Sequence, residues 1–154
     1  MQRAIVDFEV DDAEDWVAVL SCGHPQHVRH QPPFINRPWT QSEAGRLQML
    51  GTTLDCVRCE RLELPEGLVS YRRTPEFNAT TVPLGLLRDH ATKTGVWGRI
   101  VVSCGIIRYV VTAPFAHQQD VVPGQPGIIA PEALHRVALS EDAEFHVEFL
   151  RPGK

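Results

Sequence analysis

The chain has 154 residues and a mass of 17.2 kDa, enough for one ordinary domain or two small ones. Its 43% of hydrophobic and 22% of charged residues exclude a disordered chain. A net charge of −4 excludes a global basic field for nucleic acid, and the longest apolar run, Trp16–Leu20, is too short for a transmembrane helix. Since no signal-peptide core follows Met1, we expect a cytoplasmic protein.

Twelve prolines and eleven glycines favour many short strands and turns over a helix bundle. Thr40 and Glu43 form a capping box that predicts a helix over Gln41–Leu50, ended by Gly51, and a short helical turn is predicted over Pro83–Asp89. Apolar alternation with a period of two predicts seven strands. They are Ala4–Val10, Asp15–Ser21, Gly98–Cys104, Ile106–Thr112, Gly127–Ala130, His135–Leu139 and Glu144–Leu150. The predicted fold class is mainly β, with an α+β N-terminal part.

The two parts of the chain differ in their chemistry. Residues 1–67 contain three of the four cysteines and three of the seven histidines, and the stretch Leu64–Gly67 has the composition of a turn. We therefore predict a small Cys/His zinc-binding module over residues 1–67 and a second domain over residues 68–154. A segment of this size has a marginal hydrophobic core, for which a bound metal commonly compensates.

Two short turns in the first segment carry metal-ligating side chains. Cys22 and His24 form a Cys-x-His turn, and Cys56 and Cys59 form a Cys-x-x-Cys turn. Brought together, the two turns offer the four ligands of a tetrahedral structural zinc site. We predict the quartet Cys22, His24, Cys56 and Cys59, with His27 as the substitute for His24. A redox pair, a disulfide and buried bystander cysteines are the alternatives.

The first segment resembles a small bacterial Cys/His domain family of uncharacterised activity. The residues that carry the resemblance are the run Ser21–Pro33, with Asn36–Trp39 and Leu54–Cys59. The resemblance extends over residues 5–67, and it implies no particular activity, because the activity of the family is not established.

The second segment contains a series of motifs along residues 69–151. These are Tyr71–Phe77, Thr81–Pro83, His90–Gly98, Pro123–Gly127, Pro131–His135 and Phe145–Phe149. They resemble the cupin-like domain of tellurite-resistance, methyltransferase-associated proteins. The resemblance implies a cupin-like β-barrel and a link to tellurite or metal stress. Methyl transfer is excluded for this chain, because no G-x-G-type glycine fingerprint follows a strand.

The resemblance to cupins also implies a place for a metal. The stretch Gly127–His135 fits the second cupin motif, whose histidine faces the barrel interior. Of the first motif only His90 remains, and the slot for its glutamate holds Gly98. His90 and His135 with Glu148 would supply a 2-His-1-carboxylate set for a second divalent metal, iron or manganese. A metal-free ligand pocket and the absence of any small-molecule site are the alternatives.

Four further side chains are candidates for ligand binding in the barrel. We expect Lys93 and Trp97 near its mouth, and Arg72 or Arg99 holding an anion there.

We therefore expect a metal-binding cupin-fold protein that binds a small molecule or oxyanion, related to tellurite or metal stress, and not itself a methyltransferase. One alternative is an iron- or manganese-dependent cupin enzyme of dioxygenase or isomerase type, so whether the chain is an enzyme stays open. Another is an adaptor in which the zinc module docks on a partner and the barrel dimerises. We expect no membrane or nucleic-acid partner, and a homodimer that pairs through an edge strand.

Overall fold

The structure is a computed structural model that describes residues 1–153. Within these residues it has eleven β-strands, and the mainly-β prediction is confirmed. The chain divides into two compact units, Met1–Val57 and a second that begins at Arg58. This division falls inside a four-residue helix, and the boundary near residue 67 stays a prediction. The helical segments are a 3-10 helix Pro38–Gln41, α1 Glu43–Met49, α2 Val57–Glu60 and a 3-10 helix Leu84–Leu87.

The first unit is built on one antiparallel sheet with the strand order β3-β2-β1-β4. The strands are β1 Gln2–Val10, β2 Trp16–Leu20, β3 Pro25–His27 and β4 Thr53–Asp55. The turn between β1 and β2 closes on the carboxylate of Asp11, which accepts hydrogen bonds of 2.9 Å from the backbone N–H groups of Ala13 and Asp15. Both neighbours of β1 run antiparallel to it, so β2 and β4 end beside its N-terminal half.

The predicted helix of the first unit starts two residues later than the capping box implied. Ser42 is its N-cap, because the Ser42 hydroxyl accepts the backbone N–H of Gly45 at 3.0 Å. Thr40 is buried in the preceding 3-10 helix. Its hydroxyl donates to the carbonyl of Arg37 at 2.9 Å and accepts the side-chain amide of Gln41 at 2.9 Å, instead of capping α1. No helix among residues 1–153 is long and apolar enough to cross a membrane.

The second unit contains two antiparallel sheets with the orders β5-β11-β6-β9 and β10-β7-β8. The strands are β5 Leu68–Arg73, β6 Trp97–Cys104, β7 Ile107–Ala113, β8 His117–Val121, β9 Gly127–Ile129, β10 Leu134–Leu139 and β11 Glu144–Pro152. All seven strands predicted from alternation are present, with ends shifted by a few residues.

Four strands lack the apolar alternation on which the prediction depended. Strands β3 and β4 have only three residues each, and β5 is an edge strand with mostly exposed side chains. Strand β8, with the sequence His-Gln-Gln-Asp-Val, is polar at four of its five positions. These strands form because a neighbouring strand offers hydrogen-bonding groups, and tertiary pairing of this kind overrides local propensity.

Strand β11 decides which side chains face the interior of the second unit. Phe145 and Val147 are buried, at 0% and 7% exposure, while His146 and Glu148 between and beyond them point to the opposite face. Trp97, the first residue of β6, is also fully buried and pairs with Leu150.

Candidate functional sites

Four buried side chains meet in one group near the end of β2. They are Cys22, His24, Cys56 and Cys59, and one ligand atom from each lies within 4.8 Å of the others. Cys22 follows β2 and Cys56 follows β4. Because these two strands end beside the same half of β1, the topology brings two distant turns together. Such a group can hold a metal ion.

The distances within this quartet fit a tetrahedral metal site. The sulfurs of Cys22 and Cys56 are 3.9 Å apart, and they lie 3.4 and 3.3 Å from Nδ1 of His24. Zinc bonds of ~2.3 Å to sulfur and ~2.0–2.1 Å to nitrogen, arranged tetrahedrally, place two sulfurs about 3.8 Å apart and a sulfur and a nitrogen about 3.6 Å apart. Three thiols and one imidazole are also ligands that zinc prefers.

Protons compete with a metal for the quartet. Burial of His24 disfavours its charged form, but the hydrogen bonds that its ring donates to Cys22 and Cys56, together with their negative charge, outweigh this and raise the His24 pKa to about 9. A protonated imidazole cannot donate its nitrogen lone pair to a metal, so metal binding here must displace a proton.

His27, the predicted substitute for His24, lies apart from the quartet. Its side chain is exposed on strand β3, and its Nε2 lies 2.9 Å from a carboxylate oxygen of Asp11. The register of β3 against β2 points this imidazole toward the β1–β2 turn. The structure therefore places His24 in the group, and not His27.

The second unit contains a cavity of about 310 Å³. Its polar side chains include two histidines, His90 and His135, and two cations, Arg72 and Lys93. None of the described residues that line it is acidic. Its walls are otherwise mainly apolar. The larger apolar lining residues are Tyr71, Leu86, Val96, Ile100, Ile129, Val137, Phe145, Val147 and Phe149.

The two histidines of the cavity are held by the backbone. His90 and His135 exchange both backbone hydrogen bonds at 2.9 Å, which sets their ring centroids 4.1 Å apart with a 54° tilt. Nδ1 of His90 lies 2.8 Å from the carbonyl oxygen of Arg88, and Nδ1 of His135 lies 2.9 Å from that of Ala133. Because a carbonyl oxygen only accepts, each Nδ1 must donate, and each ring has Nε2 left for a ligand.

His135 is neutral at physiological pH. It is 1% exposed, and burial lowers its pKa to about 4, helped by the neighbouring His90 and opposed by the hydrogen bond to Ala133 and by the charge of Asp89.

The structure does not bring Glu148 to the two histidines. Its neighbours Val147 and Phe149 line the cavity, so Glu148 faces the other side of β11. There its Oε2 accepts a hydrogen bond from Nη1 of Arg99 at 3.1 Å. Among residues 1–153, the Cys/His quartet is the group of three or more such ligands that lie together, and His90, His135 and Glu148 form no second group.

The four predicted ligand-binding residues divide into two pairs. Arg72 and Lys93 line the cavity. Trp97 is fully buried in the core, and Arg99 is paired with Glu148 on the outer face. A Cβ at Gly98, the residue before Arg99, would lie 2.9 Å from Cδ1 and 3.1 Å from Cβ of Ile129, so a larger residue there requires Ile129 to shift.

The sequence analysis did not predict which apolar side chains form the walls of the cavity. Tyr71 lies on the unpredicted edge strand β5, where no alternation marks an inward face. Phe149 lies on the predicted strand β11, but a two-residue period does not say which face is interior.

Two family models match the chain. A model described as "Protein of unknown function (DUF3565)" matches residues 6–63, and a model described as "TehB-like domain" matches residues 72–147. These matches confirm both resemblances that the sequence motifs indicated.

Three similar proteins each cover somewhat more than half of the chain. The "Uncharacterized protein YeaR" of Escherichia coli (strain K12) is 28% identical over 100 residues, covering 57% of this chain and 82% of YeaR. A crystal structure of an Escherichia coli (strain K12) protein superimposes with a TM-score of 0.55 at 25% identity, covering 60% of this chain and 98% of that one. TehB from Haemophilus influenzae superimposes with a TM-score of 0.52 at 26% identity, covering 56% of this chain but only 32% of TehB.

Proposed function

We propose that the second unit binds a small anionic molecule in the cavity at His90 and His135, in a function related to tellurite resistance. The carrying observation is the charge of the lining: Arg72 and Lys93 are cationic, and none of the described lining residues is acidic. The relation to tellurite resistance is supported by the match to the TehB-like domain and by the structural similarity to TehB.

The surroundings of the two cations strengthen this proposal. Arg72 and Lys93 are both exposed, so an anion can reach them from solvent, and the apolar walls beside them can contact the rest of a bound molecule. A cavity of about 310 Å³ lies at the lower end of the range typical of small-molecule sites, ~300–1,000 Å³. The two Nε2 atoms add convergent polar groups, as such sites usually require.

We propose binding without methyl transfer. The structural similarity covers about a third of TehB, and no G-x-G-type motif follows a strand in this chain. The iron or manganese enzyme has less support, because Glu148 is paired with Arg99 on the outer face.

We further propose that the Cys/His quartet holds a structural zinc ion. Four protein ligands complete a tetrahedral site and leave no position for a substrate, whereas a catalytic zinc keeps one position open. All four side chains are buried, which also keeps solvent ligands away.

Calorimetry on the full chain tests the anion-binding proposal. Sodium tellurite, sodium sulfate and sodium benzoate are titrated into the wild-type protein and the variants Arg72→Gln and Lys93→Gln. We expect at least one anion to bind, with affinity reduced about tenfold or more in one of these variants. The matched control is Arg108→Gln, because Arg108 is an exposed arginine paired with Asp120 outside the cavity. Equal affinities in all four proteins, or no binding of any anion, would contradict the proposal.

A further inference from the structure

The cavity contains hydrogen-bond acceptors as well as cations. Nδ1 of His135 donates to the carbonyl of Ala133, so Nε2 is the nitrogen that this imidazole offers to the cavity it lines. The ring is 1% exposed, and none of the described lining residues is a carboxylate that would stabilise an imidazolium. Nε2 of His135 is therefore a lone-pair acceptor, and an anionic group placed against it would be repelled.

The two threonine hydroxyls of the cavity are bound to the backbone and do not supply a matching donor. Thr74 donates its hydroxyl to the carbonyl of Pro75 at 3.0 Å, and Thr92 donates its hydroxyl to the carbonyl of Val96 at 2.6 Å. The side-chain donors that remain in the lining are the hydroxyl of Tyr71 and the cations Arg72 and Lys93. Tyr71 is 41% exposed with its ring under the guanidinium of Arg151, and an anion occupies the cations. A ligand that leaves the buried acceptor of His135 without a donor binds more weakly, because that acceptor gives up its hydrogen bond to water and gains none in return.

The apolar walls restrict the ligand further. Phe145, Val147, Phe149 and Ile129 surround the polar groups, and a bare inorganic oxyanion would leave this surface without contacts.

We infer that the ligand is an organic anion with an apolar body and a hydroxyl or N–H group that donates a hydrogen bond to Nε2 of His135. Hydroxylated carboxylic acids are the simplest class with all three features. This inference rests on the proposed anion-binding function and narrows it, because it distinguishes an organic hydroxy acid from an oxyanion such as tellurite.

The tautomer of His135 can be measured before any ligand is known. Long-range ¹H–¹⁵N correlation spectra of the full ¹⁵N-labelled chain at pH 7 report which ring nitrogen carries the proton. We expect Nδ1–H and an unprotonated Nε2 for His135. A proton on Nε2 would overturn the inference without affecting the cations that support anion binding.

Matched ligands then test the hydrogen bond itself. The three hydroxybenzoate isomers are compared by calorimetry with their methoxybenzoate counterparts, which keep the anion and the ring but lose the donor. We expect at least one hydroxybenzoate to bind about fivefold or more tightly than its ether. The variant His135→Asn removes Nε2 while keeping an amide donor for Ala133, and it should abolish this preference. His117→Asn is the matched control and should retain it, because His117 lies on β8 beside Gln119 and does not line the cavity.

The outcomes separate this inference from the proposed function. If benzoate or tellurite binds but no hydroxybenzoate is preferred, or the preference survives in His135→Asn, the inference is overturned and anion binding stands. If no anion binds, tellurite included, both fail together. If His135→Asn does not fold, the wild-type comparison of hydroxy and methoxy ligands still decides the matter.

Discussion

The two units place histidine in opposite situations. In the first, His24 is surrounded by thiols whose atoms lie 3.3–3.4 Å from its nitrogen, and every member of the quartet faces the others. In the second, His90 and His135 turn one nitrogen each to the backbone and have the other left for a cavity. A self-completing cluster suits a structural ion, whereas acceptors left facing a cavity suit an exchangeable ligand. Under the proposed function, histidine therefore serves structure in one unit and ligand recognition in the other.

Removing the metal should have the largest effect, and it should fall on residues 1–67, which contain all four ligands. Structural zinc contributes on the order of 10 kcal/mol to folding in small zinc-binding domains. We expect a strong chelator to unfold residues 1–67 and to leave the rest of the second unit folded. Amide hydrogen exchange followed by mass spectrometry distinguishes the two units in one sample. Elemental analysis of the untreated protein should give one zinc per chain.

Cys56→Ser is the genetic counterpart of the chelator, and Cys104→Ser is its matched control, because Cys104 lies outside the quartet. A first unit that stays protected from exchange after complete metal removal would show that the quartet is not what stabilises it.

Lowering the pH should reduce the free energy of unfolding of the second unit, because His135 is buried in its neutral form. Its pKa is about 4 in the folded protein and near 6.5 when unfolded, so the unfolded chain binds the extra proton first as pH falls. The stabilising contribution is therefore complete above pH 6.5 and is lost as pH falls toward 4. The difference between the two pKa values corresponds to about 3 kcal/mol.

The measurement is the unfolding free energy of the second unit between pH 7 and pH 4, in the wild type and in His135→Asn. We expect the gap between the two proteins to change by about 3 kcal/mol over this range. Comparing the two removes the contribution of the carboxylates that titrate in both. Direct NMR titration of the His135 ring supplies the second readout, and a folded-state pKa near 6.5 would contradict the prediction.

Helix capping in the first unit should show a smaller effect. Ser42→Ala removes the oxygen that accepts the N–H of Gly45, and loss of an N-cap costs about 1 kcal/mol. Chemical denaturation of the zinc-loaded protein measures this loss, with Ser42→Thr as the control that keeps a capping oxygen. If Ser42→Ala is as stable as Ser42→Thr, the hydrogen bond contributes nothing to stability.

The sequence was sufficient to predict features that depend on residues close together in the chain, such as the two metal-ligating turns. The Cys-x-His and Cys-x-x-Cys turns were recognisable because each keeps two ligands close in sequence. The choice of His24 over His27 needed the register of β3, which places His27 beside Asp11. The sequence of a turn does not show which distant strand will pair next to it. Strand β8 could not be predicted for a related reason, because its polar sequence has no apolar alternation.

The face of β11 is the clearest case of missing information. Alternation predicted a strand over Glu144–Leu150, and the strand is present. The two-residue period does not say whether the face with Phe145 or the face with Glu144 points to the interior. Burial of Phe145 against the core settles the face, and this places Glu148 outside. A ligand set that requires a strand residue to point to a particular face, as His90, His135 and Glu148 did, is therefore predicted less securely than one based on close sequence spacing, such as the two Cys/His turns.

The smallest effect is expected at Glu148, and it separates the two interpretations of that residue. The ion pair with Arg99 is 3.1 Å long between side chains that are 23% and 30% exposed, and pairs near the surface contribute about 0–1 kcal/mol. Glu148→Gln keeps the size of the side chain and should cost no more than this in chemical denaturation. It should also leave anion affinity and metal content unchanged, because the side chain lies on the face of β11 opposite the cavity. A metal ligand would behave differently, since losing one carboxylate from a three-ligand site removes the ion. If Glu148→Gln releases iron or manganese from the purified protein, or weakens ligand binding tenfold, then Glu148 reaches the histidines in solution and the cavity is a metal site after all.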